Sequence, residues 1–137
     1  MKLDSAGLQV LSPAECVELL ASTPIGRVVF TDHALPAVQP VNFVLDGTTV
    51  VMRTAPGSKL AVAARNTVVA FETDEFDPDT GTGWSVTAIG YARAVTDPVE
   101  TERLAHLSGA PWSPDGNDRF IVMPIRQVSG RRIRVRP

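Results

Sequence analysis

Histidine is scarce in this 137-residue chain, at two residues, His33 and His106, and cysteine scarcer still, at Cys16 alone. A single cysteine excludes an intramolecular disulfide. Cys16 falls in an amphipathic helical pattern and reads as a packing residue. Neither histidine has a second ligand at metal-site spacing, so both read as solvated or helix-terminal side chains. No GxSxG elbow occurs and Cys16 has no basic neighbour, which excludes the common nucleophile signatures. No apolar run approaches the roughly 20 residues that span a bilayer. The start of the chain lacks the charged and apolar regions of a signal peptide. No membrane partner is expected, and the cytoplasm is the expected location. The formal net charge is −2, which excludes a broad nucleic-acid footprint. The basic "GRRIRVRP" alternates, as a strand with arginines on its wet face does. Asp74 to Asp79 holds four acids in six residues. The closing glutamate of a calcium loop is missing there, and the stretch reads as a solvated loop.

What is present is punctuated β-structure in a chain of single-domain length, residues 1–137. Ser12, Pro13 and Glu15 form a capping box with proline at the first helical position, predicting a helix from Pro13 to Ala21. "GRVVFTD" reads as a strand, and "HALP" as a turn. Asp46-Gly47 between two strand-like runs predicts a β-hairpin. "SKLAVAAR" reads as one short helix. "TVVAFETDEF" and "WSVTAIGYARAV" read as strands around the turn-rich "DPDTGTG", with Gly90 as a bulge or bend. Asp97, Pro98 and Glu100 repeat the helix-start logic. "GAPWSPDGND" reads as a loop before two closing strands, "RFIVMPI" and "QVSGRRIRV". The count is six or seven strands and two or three short helices. Tight connections point to an antiparallel barrel or sandwich rather than βαβ units. A chain this short builds a sound core but no large internal active-site cavity. A site shared between two subunits is therefore attractive.

No acid–base pair or nucleophile stands out, so any chemistry points to a bound cofactor. The stretch "MRTAPGSKLAVAARN" suits a phosphate. The chain has 11 arginines but only two lysines, and one of the two is Lys59. A helix N-terminus offers free N–H groups, Gly57 permits close approach, Ser58 adds a hydroxyl, and Lys59 an ammonium. Arg53 reaches from the preceding strand with a planar fork. The alternative is an ordinary Ser58 cap with Lys59 in water. This is not a Walker loop. In "QPVNF", Pro40 cannot donate to a ladder, so the strand is distorted or at an edge. Such an edge either offers free backbone groups to a flat heterocycle or simply blocks aggregation. Trp84 in "GTGWSV" packs either on an aromatic ligand or in the core.

In this order and spacing, "IGRVVF", "QPVNF", "MRTAPGSKLAVAARN", "VAFETDEFDPDTGTGWSVTAIGYARAV" and "VSGRRIRV" resemble the pyridoxamine 5′-phosphate oxidase-like family with the FMN-binding split barrel, in its short actinobacterial form. The resemblance covers nearly the whole chain. It implies a mainly β fold, a six-stranded antiparallel split barrel, that forms a homodimer with FMN at the interface. It implies that Arg53, Thr54, Ser58 and Lys59 hold the FMN phosphate, that Pro40, Val41 and Asn42 line the isoalloxazine, and that Trp84, Ser85 and Val86 come from the partner chain. The implied function is a flavin-dependent oxidoreductase acting on a small planar acceptor. The alternatives are a reductase using the deazaflavin coenzyme F-420, or a flavin carrier or sensor without catalysis. Related members bind haem, for which neither histidine is well placed. The chain is shorter than the pyridoxamine phosphate oxidases themselves and ends at "RRIRVRP" without their substrate-phosphate segment. Vitamin B6 synthesis is therefore not implied.

Overall fold

A computed structural model describes residues 1–112 and 118–135. Among the described residues eight strands occur in chain order: β1 (Gln9–Val10), β2 (Ile25–Asp32), β3 (Leu35–Asp46), β4 (Thr49–Thr54), β5 (Arg65–Asp77), β6 (Thr82–Ala94), β7 (Arg119–Pro124) and β8 (Gln127–Ile133). Three helices join them: α1 (Pro13–Ala21), α2 (Lys59–Ala63) and α3 (Pro98–Ala105). The sheet runs β1-β8-β6-β5-β2-β3-β4-β7, and β6 also pairs with β7. That last pairing closes β2 to β7 into a six-stranded antiparallel barrel. The split lies on β6. One of its edges pairs β5 along its length, while the other is divided between β8, at Gly83–Ile89, and β7, at Arg93–Ala94. Among the described residues no helix is long and apolar enough to cross a membrane.

Alternation decides the inner face. Val28, Phe43, Met52, Phe71, Val86 and Met123 all point inward and are buried. Phe43 and Phe71 meet edge to face, with centroids 4.6 Å apart. α1 follows its capping box as read: Ser12 Oγ accepts from Glu15 N–H at 3.2 Å, and Glu15 Oε1 accepts from Ser12 N–H at 3.4 Å. Its Cys16 is fully buried, and burial raises the thiol pKa, so it stays a neutral packing group. α3 is capped by Asp97, but Glu100 turns instead to Arg93 at 2.8 Å. A second cluster, including Val51, Leu104 and Phe120, cements α3 to the outside of the barrel.

Three expectations need correction. β1 adds a short eighth strand, because Gln9 and Val10 pair Arg132 and Arg131. Gly90 sits in unbroken register; a Cβ there would collide with the Pro124 carbonyl, so close backbone approach explains the glycine. The bulge lies at Asn66, at φ +58. The stretch read as an acidic loop is largely strand, since β5 runs to Asp77 and only residues 78–81 turn. Asp74 is not simply solvated, for its carboxylate accepts from Arg27 at 2.8 Å. The loop expected at 109–118 is described at 109–112 and 118 alone, and residues 113–117 lie outside the described residues.

Arg27 also donates to Glu72 at 2.9 Å. Burial raises the pKa of Glu72, and Asp74 raises it further, against the pull of Arg27. The folded state thus holds a proton on Glu72 more readily than the unfolded chain does. The associated stability is present at acid pH and is lost as pH rises through the raised value. We predict that Glu72→Gln is at least as stable as the parent at pH 7, and that the advantage fades on acidification. Urea midpoints across pH check this, and a variant less stable at pH 7 than at pH 4.5, relative to the parent, refutes it.

Candidate functional site

The end of β4 and the start of α2 concentrate polar groups. Proline and glycine at 56 and 57 break the strand, and Gly57 takes φ +72, where a side chain would be strained. Thr54 is buried, and its hydroxyl lies 2.7 Å from that of Ser58. Ser58 caps α2, its Oγ accepting from Ala61 N–H at 3.1 Å. Lys59 follows with its side chain 81% exposed, and its Nζ is 3.9 Å from Asp32 Oδ2. That spacing leaves the ammonium free to swing.

Arg53 is held differently. Its Nε–H donates to the carboxylate of Asp118, which is 6% exposed. The bond uses the side of the guanidinium and leaves both terminal amino groups without a protein partner among the described residues. Asp118 lies 65 residues along the chain, and no local signal marks it. β7 carries it to Arg53 through the pairing of Arg53 with Phe120.

Pro40 stands opposite Arg27 on β2, while pairing to β4 begins only at Phe43. Among the described residues the other edge of β3 is therefore unpaired along Pro40, Val41 and Asn42. The proline sits where its missing N–H costs no ladder bond. Val41 points into the core, and Pro40 outward. Trp84, Ser85 and Val86 lie on β6, separated from β3 by β5 and β2. Trp84 is 9% exposed and belongs to the core, as does Val86, whereas Ser85 faces outward between Asp74 and Arg131. One chain does not bring this trio to the Arg53 group. His33 and Ala34 make the two-residue β2–β3 turn, both at positive φ, and His33 is exposed beside Asp32. His106 ends α3. Among the described residues no three His, Cys, Asp or Glu side chains cluster as a metal site.

Beside the Thr54–Ser58 group an open cleft of about 610 Å³ runs between α2 and α3. Thr54, Gly57, Pro98 and Thr101 line it, with the buried Phe120 and Ile121 behind them.

Known proteins are similar to this chain over most of its length. The uncharacterized protein Rv0080 of Mycobacterium tuberculosis is 41% identical over 124 residues, 87% of this chain and 81% of the relative. The solved FAD binding protein of Mycobacterium smegmatis is 37% identical, with a TM-score of 0.75 over 91% of this chain and 97% of its own. A conserved Corynebacterium diphtheriae protein of unknown function is 34% identical, with a TM-score of 0.75 over 90% and 96% of the two chains. The model of the pyridoxamine 5′-phosphate oxidase family matches residues 12–132. That match runs from the serine capping α1 to the penultimate residue of β8 and spans the whole barrel, so the chain belongs to this family.

Proposed function

We propose that the protein is a flavin-dependent oxidoreductase that binds its cofactor by the phosphate at the β4–α2 junction. The observation that carries this is the donor set there: two joined hydroxyls, an exposed ammonium, and a guanidinium whose side is held and whose end has no protein partner among the described residues. A phosphate monoester dianion needs such convergent donors and charge. A Cβ built on Gly57 meets nothing within 4 Å, so the approach is open. The unpaired edge of β3 at Pro40–Asn42 suits the polar rim of an isoalloxazine. The family membership and the 37% identical FAD binding protein support a flavin. The seat takes the phosphate that FMN and FAD share.

When bound, a flavin supplies hydride transfer between a nicotinamide and a small planar acceptor. The chain's part is to grip, orient and shield it. We further propose a homodimer. Ile25, Val38, Val68, Phe76 and Tyr91 lie on one outer face of the barrel, each 43–62% exposed. These side chains flank the charged Arg27–Glu72–Asp74 group on the same outward face, and such a mixed face is suited to a symmetric copy. The copy's β6 would then bring Trp84–Val86 to the flavin, most simply through backbone and Ser85, since Trp84 and Val86 are buried at home.

The absorbance spectrum of the purified protein, followed by mass spectrometry of the released cofactor, tests the reading. A yellow protein absorbing near about 450 nm and bleached by NADPH is expected. A colourless protein whose melting temperature rises only with the deazaflavin F-420 overturns the flavin assignment. Bound flavin that no nicotinamide reduces, with every acceptor tried, makes it a carrier.

A further inference from the structure

We propose that Asp32 sets the affinity of the phosphate seat by competing with the ligand's phosphate for the Lys59 ammonium. The inference rests on the flavin reading above and adds a residue that opposes binding. Asp32 ends β2, and its Oδ2 lies 3.9 Å from Lys59 Nζ. Its place is fixed from two sides. The tight His33-Ala34 turn, both residues at positive φ, holds the end of the strand, and Asp32 pairs with Leu35 across it. The other carboxylate oxygen, Oδ1, lies 2.9 Å from His33 Nδ1. α2 packs against β2, which keeps the carboxylate beside the residue that opens the helix.

Arg53 and Lys59 thus each face a carboxylate, but in different ways. Asp118 is buried and takes the Nε–H of Arg53, so it holds the side of the guanidinium and not its end. The Asp32 side chain is 25% exposed and faces the very group that a phosphate takes. An ammonium is a compact point charge with no second face to offer. A phosphate that draws it in either pulls it from Asp32 or comes close to a like charge. At contact range in water one like charge costs about three- to tenfold in binding. The exposed Asp32–Lys59 pair itself contributes little to folding, so the carboxylate acts on the ligand and not on the fold. A flavin without a phosphate does not feel it.

Fluorescence titrations of the flavin-stripped full chain with FMN and with riboflavin, which lacks the phosphate, test this. Asp32→Asn keeps the shape of the side chain and an acceptor for the His33 ring, and removes the charge. It is expected to bind FMN about three- to tenfold tighter than the parent, with riboflavin affinity and the flavin-free melting temperature unchanged. In a Lys59→Ala background the same substitution is expected to gain less than about twofold. Unchanged or weaker FMN binding by Asp32→Asn overturns the assignment of Asp32 alone, as does an equal gain for riboflavin. A gain that survives Lys59→Ala in full overturns it too, since Asp32 would then act without the ammonium. If Asp32→Asn unfolds the chain, Asp32→Ser removes the same charge and decides by the same titrations. If the parent binds neither ligand, or binds both equally, the phosphate seat itself fails and takes this inference with it.

Discussion

Gly26→Ala should destabilise the protein by about 1–3 kcal/mol, a large cost for one methyl group. A Cβ at Gly26 would come within 3.0 Å of three carbons of the Phe71 ring. Phe71 has nowhere to go, being fully buried with Phe43 packed on it. Replacing the ring instead, Phe71→Ala should cost about 3–5 kcal/mol, the range for emptying a core aromatic site. The two effects should not add. With Phe71 trimmed to Leu, the Gly26 methyl gains room, so Gly26→Ala should cost less in that background by about 0.5–3 kcal/mol. Urea unfolding at fixed protein concentration measures the cycle, with unchanged m-values as the control. Additive costs would mean that the barrel wall yields at Gly26 and that β2 and β5 are not locked by this contact.

That contact shows where reading by pattern stops. Local chemistry was plain in the chain: the Ser12–Glu15 box, the Asp97-Pro98 start, the Asp46-Gly47 hairpin and the alternation along β5 and β6 all lie within a few residues of themselves. A glycine, however, states only that a side chain is missing. Gly90 answers to the Pro124 carbonyl and Gly26 to a ring 45 positions on, neither of which periodicity reveals. The split of β6 among three partners is likewise a property of distant pairings. The turn expected over "HALP" is made by His33 and Ala34 alone, since β3 begins at Leu35; alanine gives no cue for positive φ, so the tightness of that hairpin was not legible.

The candidate site divides the same way. Thr54, Ser58 and Lys59 sit on one short segment, and the structure joins the first two directly. Pro40 pointed to a distorted strand or an edge, and of these the structure has the edge, where the missing donor costs no pairing to β4. Asp118 escaped notice because a carboxylate in a loop has the same local signature whether it is solvated or, as here, buried against an arginine. Trp84 was left between ligand and core; in the single chain it packs in the core.

Lys59→Ala and Arg53→Ala should separate grip from architecture. Lys59 is 81% exposed and its one ion pair among the described residues is with Asp32, at 3.9 Å, so its loss should leave the melting temperature of the flavin-free protein unchanged. Its loss should nonetheless weaken flavin binding by about 1.5–3 kcal/mol, or about 10- to 150-fold, as expected for one charge-assisted phosphate contact. Added salt should narrow that gap by screening the exposed ammonium. Arg53→Ala should weaken binding too, but also destabilise the flavin-free protein by about 1–3 kcal/mol, because the buried Asp118 carboxylate loses its donor. Asp118→Asn supplies the control. It keeps an acceptor for Nε–H, so flavin binding should survive better than in Arg53→Ala. Fluorescence titration reads the affinities and thermal melts read the stabilities. Lys59→Ala with undiminished flavin affinity would reduce Lys59 to a solvated side chain beyond a helix cap, leaving Arg53 and the two hydroxyls to bear the phosphate. Equal stability losses in both variants would mean that the site is a structural joint, since a mobile, exposed ammonium has no other way to matter to folding.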